Sequence, residues 1–210
     1  MKETKSRPRT RGWTSSSGTK DRVLDGAAEI FGARGFTEAT MAEIVEASGV
    51  SVGSIYHHFG GKAEVFLAIW DDLMERIEAG VAAALDEARR SGVIERMELF
   101  EVSTRVNLEL LWENQSRARV VAMGDTPPGF DAIRRGRSRK GSGHDIAILE
   151  LGSSRREKLL RDFILAMRSE SARVVLGCRT RADLDEVIEY SLEYLRALNP
   201  AQWDRGDRPV

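Results

Sequence analysis

The sequence has only one cysteine, Cys178, among its 210 residues. A lone thiol excludes an intramolecular disulfide framework and a cysteine-based zinc finger, and it agrees with a reducing, cytoplasmic setting. No apolar run approaches the ~20 residues that a membrane-spanning helix needs. The basic residues near the start are not followed by an apolar stretch, so we do not expect a secretory signal there.

An excess of either charge is also missing. The 32 Lys and Arg residues nearly balance the 33 Asp and Glu residues, which leaves a formal net charge of −1. A protein with this balance can bind nucleic acid only through a local surface. The apolar fraction of 41% and the charged fraction of 31% are typical of a globular protein with a sizeable core.

The spacing of apolar residues predicts a first helix after a basic tail. Residues 1–20 are rich in basic residues and serine, and we expect them to be flexible. The following stretch predicts a helix that ends near Gly35. Its apolar residues recur at i, i+3, i+4 and i+7, and they are Leu24, Ala27, Ala28 and Phe31.

Two short helices and one long helix are predicted next. Thr40 and Glu43 have the spacing of a capping box, and Gly49 suits the residue that follows a helix end. Ser51 is expected to begin a second short helix. The long helix is predicted from Gly61 to about residue 90. Its apolar stripe consists of Phe66, Ile69, Leu73, Ile77, Val81 and Leu85.

The rest of the chain is also predicted to be helical, without a convincing strand pattern. Apolar periodicity covers about residues 93–123, 155–177 and 182–198, and Pro127-Pro128 marks a clear break. We therefore predict an all-α protein. Its expected parts are a tail at 1–20, a three-helix module with a helix-turn-helix at 21–66, a larger effector-binding and dimerisation domain at 67–200, and a C-terminal tail at 201–210.

The stretch 40–62 combines a helix-turn-helix plan with the chemistry of a DNA-binding surface. In that plan the second helix lies in the major groove. Residues 47–63 contain no carboxylate, although Asp and Glu make up about one-sixth of the chain. A surface that faces phosphates must avoid negative charge. The same stretch offers donors for phosphates and base edges, namely Ser51, Ser54, Tyr56, His57, His58 and Lys62.

These residues resemble the TetR family of bacterial transcriptional regulators. The similarity is carried by the segment Thr40–Phe59, by Lys62, and by Ala27, Ala28, Phe31, Gly35 and Phe36 in and after the first helix. It covers about residues 21–75. The resemblance implies a homodimer that binds a palindromic operator in double-stranded DNA and releases it when a small molecule enters the helical body.

The resemblance also implies roles for single residues. Thr40, Ser54, Tyr56 and Lys62 align with phosphate-contacting positions, and Val52, Gly53, His57 and His58 align with positions that face the groove. Val52 is apolar where some members have a base-reading polar residue, so its expected contact is a thymine methyl group. Gly61 replaces the Ser or Asn that often precedes the lysine, so the next helix is expected to have a weak N-cap.

An enzymatic or metal site is not expected. Residues 49–53 match the G-x-S-x-G pattern of hydrolases, but that motif requires a preceding strand and a parallel sheet. His57 and His58 are adjacent, so they do not share a helix face, and no third ligand has suitable spacing. Ile55 and Phe59 are expected in the core of the module. No cofactor is implied.

The helical body offers candidate pocket and dimer residues. Large or adaptable side chains around the proline break suggest a tentative effector pocket, formed by Trp112, Met123, Phe130, Phe163 and Met167. The stripe of the last helix suggests a tentative dimer interface, formed by Leu184, Val187, Ile188, Ser191, Leu192 and Leu195. The basic run at 134–140 is expected to be a solvated loop. Trp13 has no explanation in the sequence.

Together these features predict a ligand-responsive transcriptional repressor. Residues 124–129, with their Pro and Gly residues, are expected to act as a hinge. One alternative is a DNA-binding regulator controlled by a protein partner, or by no effector. A DNA binder that is indifferent to sequence is a further alternative, and the acidity of the chain argues against it. An enzyme in the body lacks any supporting constellation of residues.

Overall fold

A computed structural model describes residues 14–123, 125–133 and 146–198, and these residues form helices and turns without a strand. The all-α prediction is therefore confirmed. The described residues divide into two compact units. The N-terminal unit contains the residues up to Ile69 together with residues 125–127, and the C-terminal unit contains residues 70–123 and the residues from Pro128 onward.

Eight helices have defined bounds in the described residues. They are α1 (Thr14–Glu38), α2 (Met41–Ser48), α3 (Val52–His58), α4 (Lys62–Arg90), α5 (Arg96–Glu113), α6 (Gln115–Met123), α7 (Arg155–Val175) and α8 (Arg181–Ala197). Residues 130–133 are also helical. The basic run at 134–140, Trp13 and the C-terminal tail lie outside the described residues.

Two predicted boundaries need correction. Helix α1 begins at Thr14, inside the segment expected to be a flexible tail. Residues 14–20 thus continue the helix upstream of its apolar stripe. The single helix expected over residues 93–123 is two helices that meet at Asn114. Asn114 leaves the helical conformation, and its side-chain Nδ2 donates to the Leu110 carbonyl at 2.8 Å, which ends α5.

The core of the N-terminal unit is built from the predicted apolar stripes. The first-helix stripe is fully buried, as are Ile44 in α2 and Ile55 in α3. The rings of Phe31, Phe36 and Phe66 meet with centroids 5.6–5.7 Å apart. This aromatic cluster joins both sides of the bend in α1 to the start of α4, and Ile44 and Ile55 add α2 and α3 to the buried residues of the unit.

The core of the C-terminal unit is formed by α5, α7 and α8. Phe100 and Leu108 from α5 and Ile164 from α7 are buried against the stripe of α8. This stripe corrects the predicted dimer interface, because Leu184, Ile188, Ser191, Leu192 and Leu195 are all buried within the single chain. The sequence argument failed because α5 and α7 cover these residues. Only Val187 of the six is partly exposed.

Capping boxes begin three of the helices. Thr40 and Glu43 form the predicted box at α2. Two further boxes, Ser154 with Glu157 and Thr180 with Asp183, begin α7 and α8. In each box the hydroxyl accepts from the N3 backbone N–H, and the N3 carboxylate accepts from the N-cap N–H, so two amides that the helix leaves unbonded are satisfied.

Candidate nucleic-acid interface

Helices α2 and α3 form the predicted helix-turn-helix. Gly49 follows α2 in the left-handed conformation, with φ of 62°, and its N–H donates to the Val45 carbonyl at 3.0 Å. Ser51 then caps α3, where its Oγ accepts from the Ser54 N–H at 3.3 Å. Val50 between the helices is buried. The local sequence therefore specifies the turn, the start of α3 and the packing that fixes both.

One face of α3 is anchored and the other is exposed. Ile55 is fully buried, whereas Val52 and Tyr56 are each about half exposed, at 51% and 50%. Gly53, His57 and His58 are exposed, and Ser54 is partly buried. Phe59 is only partly buried, so it closes the edge of the core that it was expected to fill. The residues predicted to face a groove thus share the outer face of a short, well-held helix.

Helix α2, which precedes α3, carries the acidic side chains Glu43 and Glu46. Glu43 is engaged, because its carboxylate accepts from the N–H and the hydroxyl of Thr40, each at 2.9 Å, and pairs with Arg34. The hydrogen bonds from Thr40, followed by the charge of Arg34, lower the pKa of Glu43. The Thr40 hydroxyl, predicted to contact a phosphate, is thus part of a capping box at the exposed start of α2.

Lys62 lies in a different environment from the phosphate contact expected for it. Its Nζ donates to the backbone carbonyls of Phe36, Thr37 and Ala39 at 2.7, 3.1 and 2.7 Å. It also lies 4.6 Å from the centroid of the Phe36 ring. An ammonium group has three N–H donors, so these carbonyls satisfy all of them. In this structure Lys62 braces the last residues of α1 and the chain that leads into α2.

Asp125 is a residue of this unit that the sequence analysis missed. Its Oδ1 accepts from the Phe36 N–H at 2.5 Å, and its Oδ2 accepts from the Thr37 N–H at 2.7 Å. The only signal in the sequence was its place in the Gly- and Pro-rich break after residue 123. That break was interpreted as a hinge, and nothing in it indicated a partner almost ninety positions away.

The candidate pocket residues differ in their burial and in their neighbours. Phe130 is buried and meets the ring of Trp70 edge-on, with centroids 5.6 Å apart. Trp112 packs at the margin of the α5–α7–α8 core. Phe163 is 57% exposed, and the side chain of Met123 lies outside the described residues. Met167 lines an open groove together with residues of α8.

That cavity is an open groove of about 340 Å³ on the outer side of α7 and α8. Its apolar and aromatic lining comes from Met167, Val174, Val187, Tyr190 and Tyr194. Phe163 and Leu159 continue the exposed apolar surface along α7. We call this the α7–α8 outer face. The sequence analysis missed it, although residues 163, 167, 170 and 174 recur at helical spacing.

Other chemistry is scarce in the described residues. No group of three His, Cys, Asp or Glu side chains there could hold a metal ion. The thiol of Cys178 is buried, and desolvation followed by the charge of Asp183 raises its pKa, which makes it unreactive. In the same part of the chain, no helix combines the length and the apolar character needed to cross a bilayer.

The N-terminal unit matches a known family. Residues 23–69 match the model of the tetR family of bacterial regulatory proteins. The HTH-type transcriptional repressor KstR2 of Rhodococcus jostii is 36% identical over 77 residues, which cover 35% of this chain and 38% of that protein. The chain spans only 24% to 38% of the length of the first curated relatives it matches.

Two longer similarities extend into the C-terminal unit. The HTH-type transcriptional activator FasR of Mycolicibacterium smegmatis is 25% identical over 188 residues, which cover 83% of this chain and 80% of that protein. The fatty acid degradation regulator FadR of Bacillus halodurans has a similar fold, with a TM-score of 0.67. That alignment has 18% identity and covers 91% of this chain and 98% of the other. At this identity the likeness concerns the fold.

Proposed function

We propose that this chain, which belongs to the tetR family of bacterial regulatory proteins through its residues 23–69, regulates transcription by binding a palindromic operator as a homodimer. The observation that carries the proposal is the exposed face of α3, which has no carboxylate and is held by a packed helix-turn-helix. Repression is the expected sign, as in the relative KstR2, although the relative FasR is an activator.

Several exposed residues of α3 would contact the DNA. Gly53 lets the backbone approach the groove, and Val52 offers methyl groups to a thymine. His57 and His58 can donate to base edges or phosphates. Tyr56, which is 50% exposed, can donate from its hydroxyl group. Ser51, Ser54 and Thr40 lie at the starts of α3 and α2, where a hydroxyl can reach a phosphate.

The dimer would form through the α7–α8 outer face. Phe163, Tyr190 and Tyr194 are each at least half exposed, and Val174 is 41% exposed between them. A contiguous apolar surface of this kind marks an interaction site. Two copies packed there would present two α3 helices, and a palindrome with half-sites about 34 Å apart would match them.

A small effector acting on the C-terminal unit would release the DNA by favouring a state that binds it poorly. The second candidate is a regulator without a small effector. It is favoured by the packing of Phe130 on Trp70 and by the exposure of Phe163, since neither residue lines the groove that Met167 lines.

Selection from a randomised duplex pool at moderate salt tests the proposal. The purified protein should enrich a palindrome with half-sites about 10 bp apart. The double variant Val52→Ala, Tyr56→Ala should fail to enrich it, while Ile94→Ala, which alters an exposed residue of the C-terminal unit, should behave as wild type. Salt-dependent binding without enrichment would identify a sequence-indifferent binder. No binding at all would contradict the proposed function.

A further inference from the structure

The bend at the end of α1 is held by two charged side chains, Asp125 and Lys62. We call residues 35–39 the Gly35 bend. On one side the carboxylate of Asp125 accepts the N–H groups of Phe36 and Thr37, at 2.5 and 2.7 Å. Each carboxylate oxygen therefore holds one amide of two consecutive residues. Hydrogen bonds to an ionised group are stronger than bonds between neutral groups.

On the other side the bend is held by a cation. Lys62 donates to the carbonyls of Phe36, Thr37 and Ala39. Two amides of the bend thus donate to an anion, and three of its carbonyls accept from a cation. Neither partner is near the bend in sequence, so both distances depend on the tertiary structure.

Gly35 is shaped for the approach of Asp125. Its φ of 79° lies in the left-handed region, which favours glycine. A Cβ atom at this position would overlap Oδ1 of Asp125. Any other residue would therefore be strained and would also push the carboxylate away. The hydroxyl and N–H of Thr37, followed by the N–H of Phe36, lower the pKa of Asp125, so the carboxylate is ionised at neutral pH.

In the sequence, Asp125 lies between two segments of the C-terminal unit. Asp125 belongs to the N-terminal unit by its contacts, but residues 70–123 and those from Pro128 onward belong to the C-terminal unit. Helix α6 ends at Met123, two positions before Asp125.

We propose that Asp125 is a positioning residue for DNA binding, which holds the Gly35 bend and through it the start of α2. Thr40 follows the bend directly and caps α2, so a shift of the bend moves the first turn of the helix-turn-helix. The proposal rests on the DNA-binding function inferred above, but the contact itself does not.

The first experiment needs no DNA. Hydrogen exchange of the full chain, measured by mass spectrometry, compares wild type with Asp125→Asn. The matched control is Asp162→Asn, which loses the same charge at an exposed site on α7. Exchange at Phe36 and Thr37 should be about tenfold faster in Asp125→Asn alone, without a general loss of protection. Unchanged exchange at these two amides would contradict a role of Asp125 in holding them. Faster exchange throughout the N-terminal unit would show a general structural role instead.

The second experiment measures the affinity for the operator that wild type selects. Removing a negative charge should by itself tighten DNA binding, as expected for Asp162→Asn. The proposal predicts the opposite for Asp125→Asn: about tenfold weaker binding, an unchanged salt dependence, and partial recovery in Asp125→Glu. Wild-type affinity in folded Asp125→Asn would overturn the positioning role. If wild type selects no DNA, the positioning role is contradicted together with the proposed function. The exchange result still shows whether Asp125 holds the two amides.

Discussion

At the scale of single residues, the atoms within reach of a side chain decide its role more than its residue type does. The family resemblance placed Lys62 among the phosphate contacts, because this residue aligns with a phosphate-contacting position of the family. The structure gives its three N–H donors to three backbone carbonyls of the Gly35 bend. The carbonyls come from residues more than twenty positions away, so no local pattern in the sequence could reveal them.

The salt dependence of operator binding distinguishes the two roles of Lys62. A residue that neutralises one phosphate contributes about 0.9 to the slope of log K against log salt concentration. We expect Lys62→Met to weaken binding because the bend loosens, while the slope stays at the wild-type value. Lys158→Met on α7, an exposed site, controls for the lost charge. A slope lower by about one unit in Lys62→Met would assign the ammonium to a phosphate.

At the scale of helices, local signals predicted the N-terminal unit well. The capping box at Thr40, the stop at Gly49 and the start at Ser51 all depend on neighbouring residues, and the structure confirms them. The face of α8 was misassigned for the opposite reason. An apolar stripe shows that a helix is covered, but tertiary packing decides whether its own chain or a second copy covers it.

The packing of Ile188 gives a test of that correction. Ile188 is fully buried in the core of the single chain. Ile188→Ala should therefore lower the free energy of unfolding by about 2–5 kcal/mol, the usual cost of a cavity in a core. Because no subunit contact is removed, the fraction of dimer in the folded protein should stay at the wild-type value. Chemical denaturation and light scattering measure the two quantities, and a loss of dimer without a loss of stability would return Ile188 to the interface.

The capping box of α8 makes the free energy of unfolding depend on pH. Hydrogen bonds from the Thr180 N–H and hydroxyl, and then from the Arg179 N–H, lower the pKa of Asp183 in the folded protein. A carboxyl group with a lower pKa when folded stabilises the fold above its unfolded pKa, and this contribution is lost as the pH falls through the folded value. Asp183→Asn should thus be less stable at pH 7 and should lose less stability than wild type below about pH 4. An equal loss of stability in the two proteins as the pH falls would contradict this prediction.

At the scale of the whole molecule, the sequence predicted the fold class and the place of the helix-turn-helix, but neither of the surfaces that depend on long-range packing. The pocket candidates were chosen by size and by nearness to a proline break, and Met167 is the one of them that lines the groove on α7 and α8. The α7–α8 outer face was missed because its residues come from two helices, and each contributes only part of the patch.

The α7–α8 outer face carries the last prediction, because DNA binding by a homodimer requires an interface. Val174 lies in its groove beside Val187 and Tyr194, so Val174→Glu would bury a carboxylate without a partner in any dimer formed there. We expect this variant to have the mass of a single 23.4 kDa chain in light scattering, where wild type should have twice that mass. Ile94→Glu, at an exposed residue outside the face, should remain dimeric. The monomeric variant should also lose most of its operator affinity, since each α3 would then bind one half-site alone. A dimeric Val174→Glu protein would move the interface to another surface.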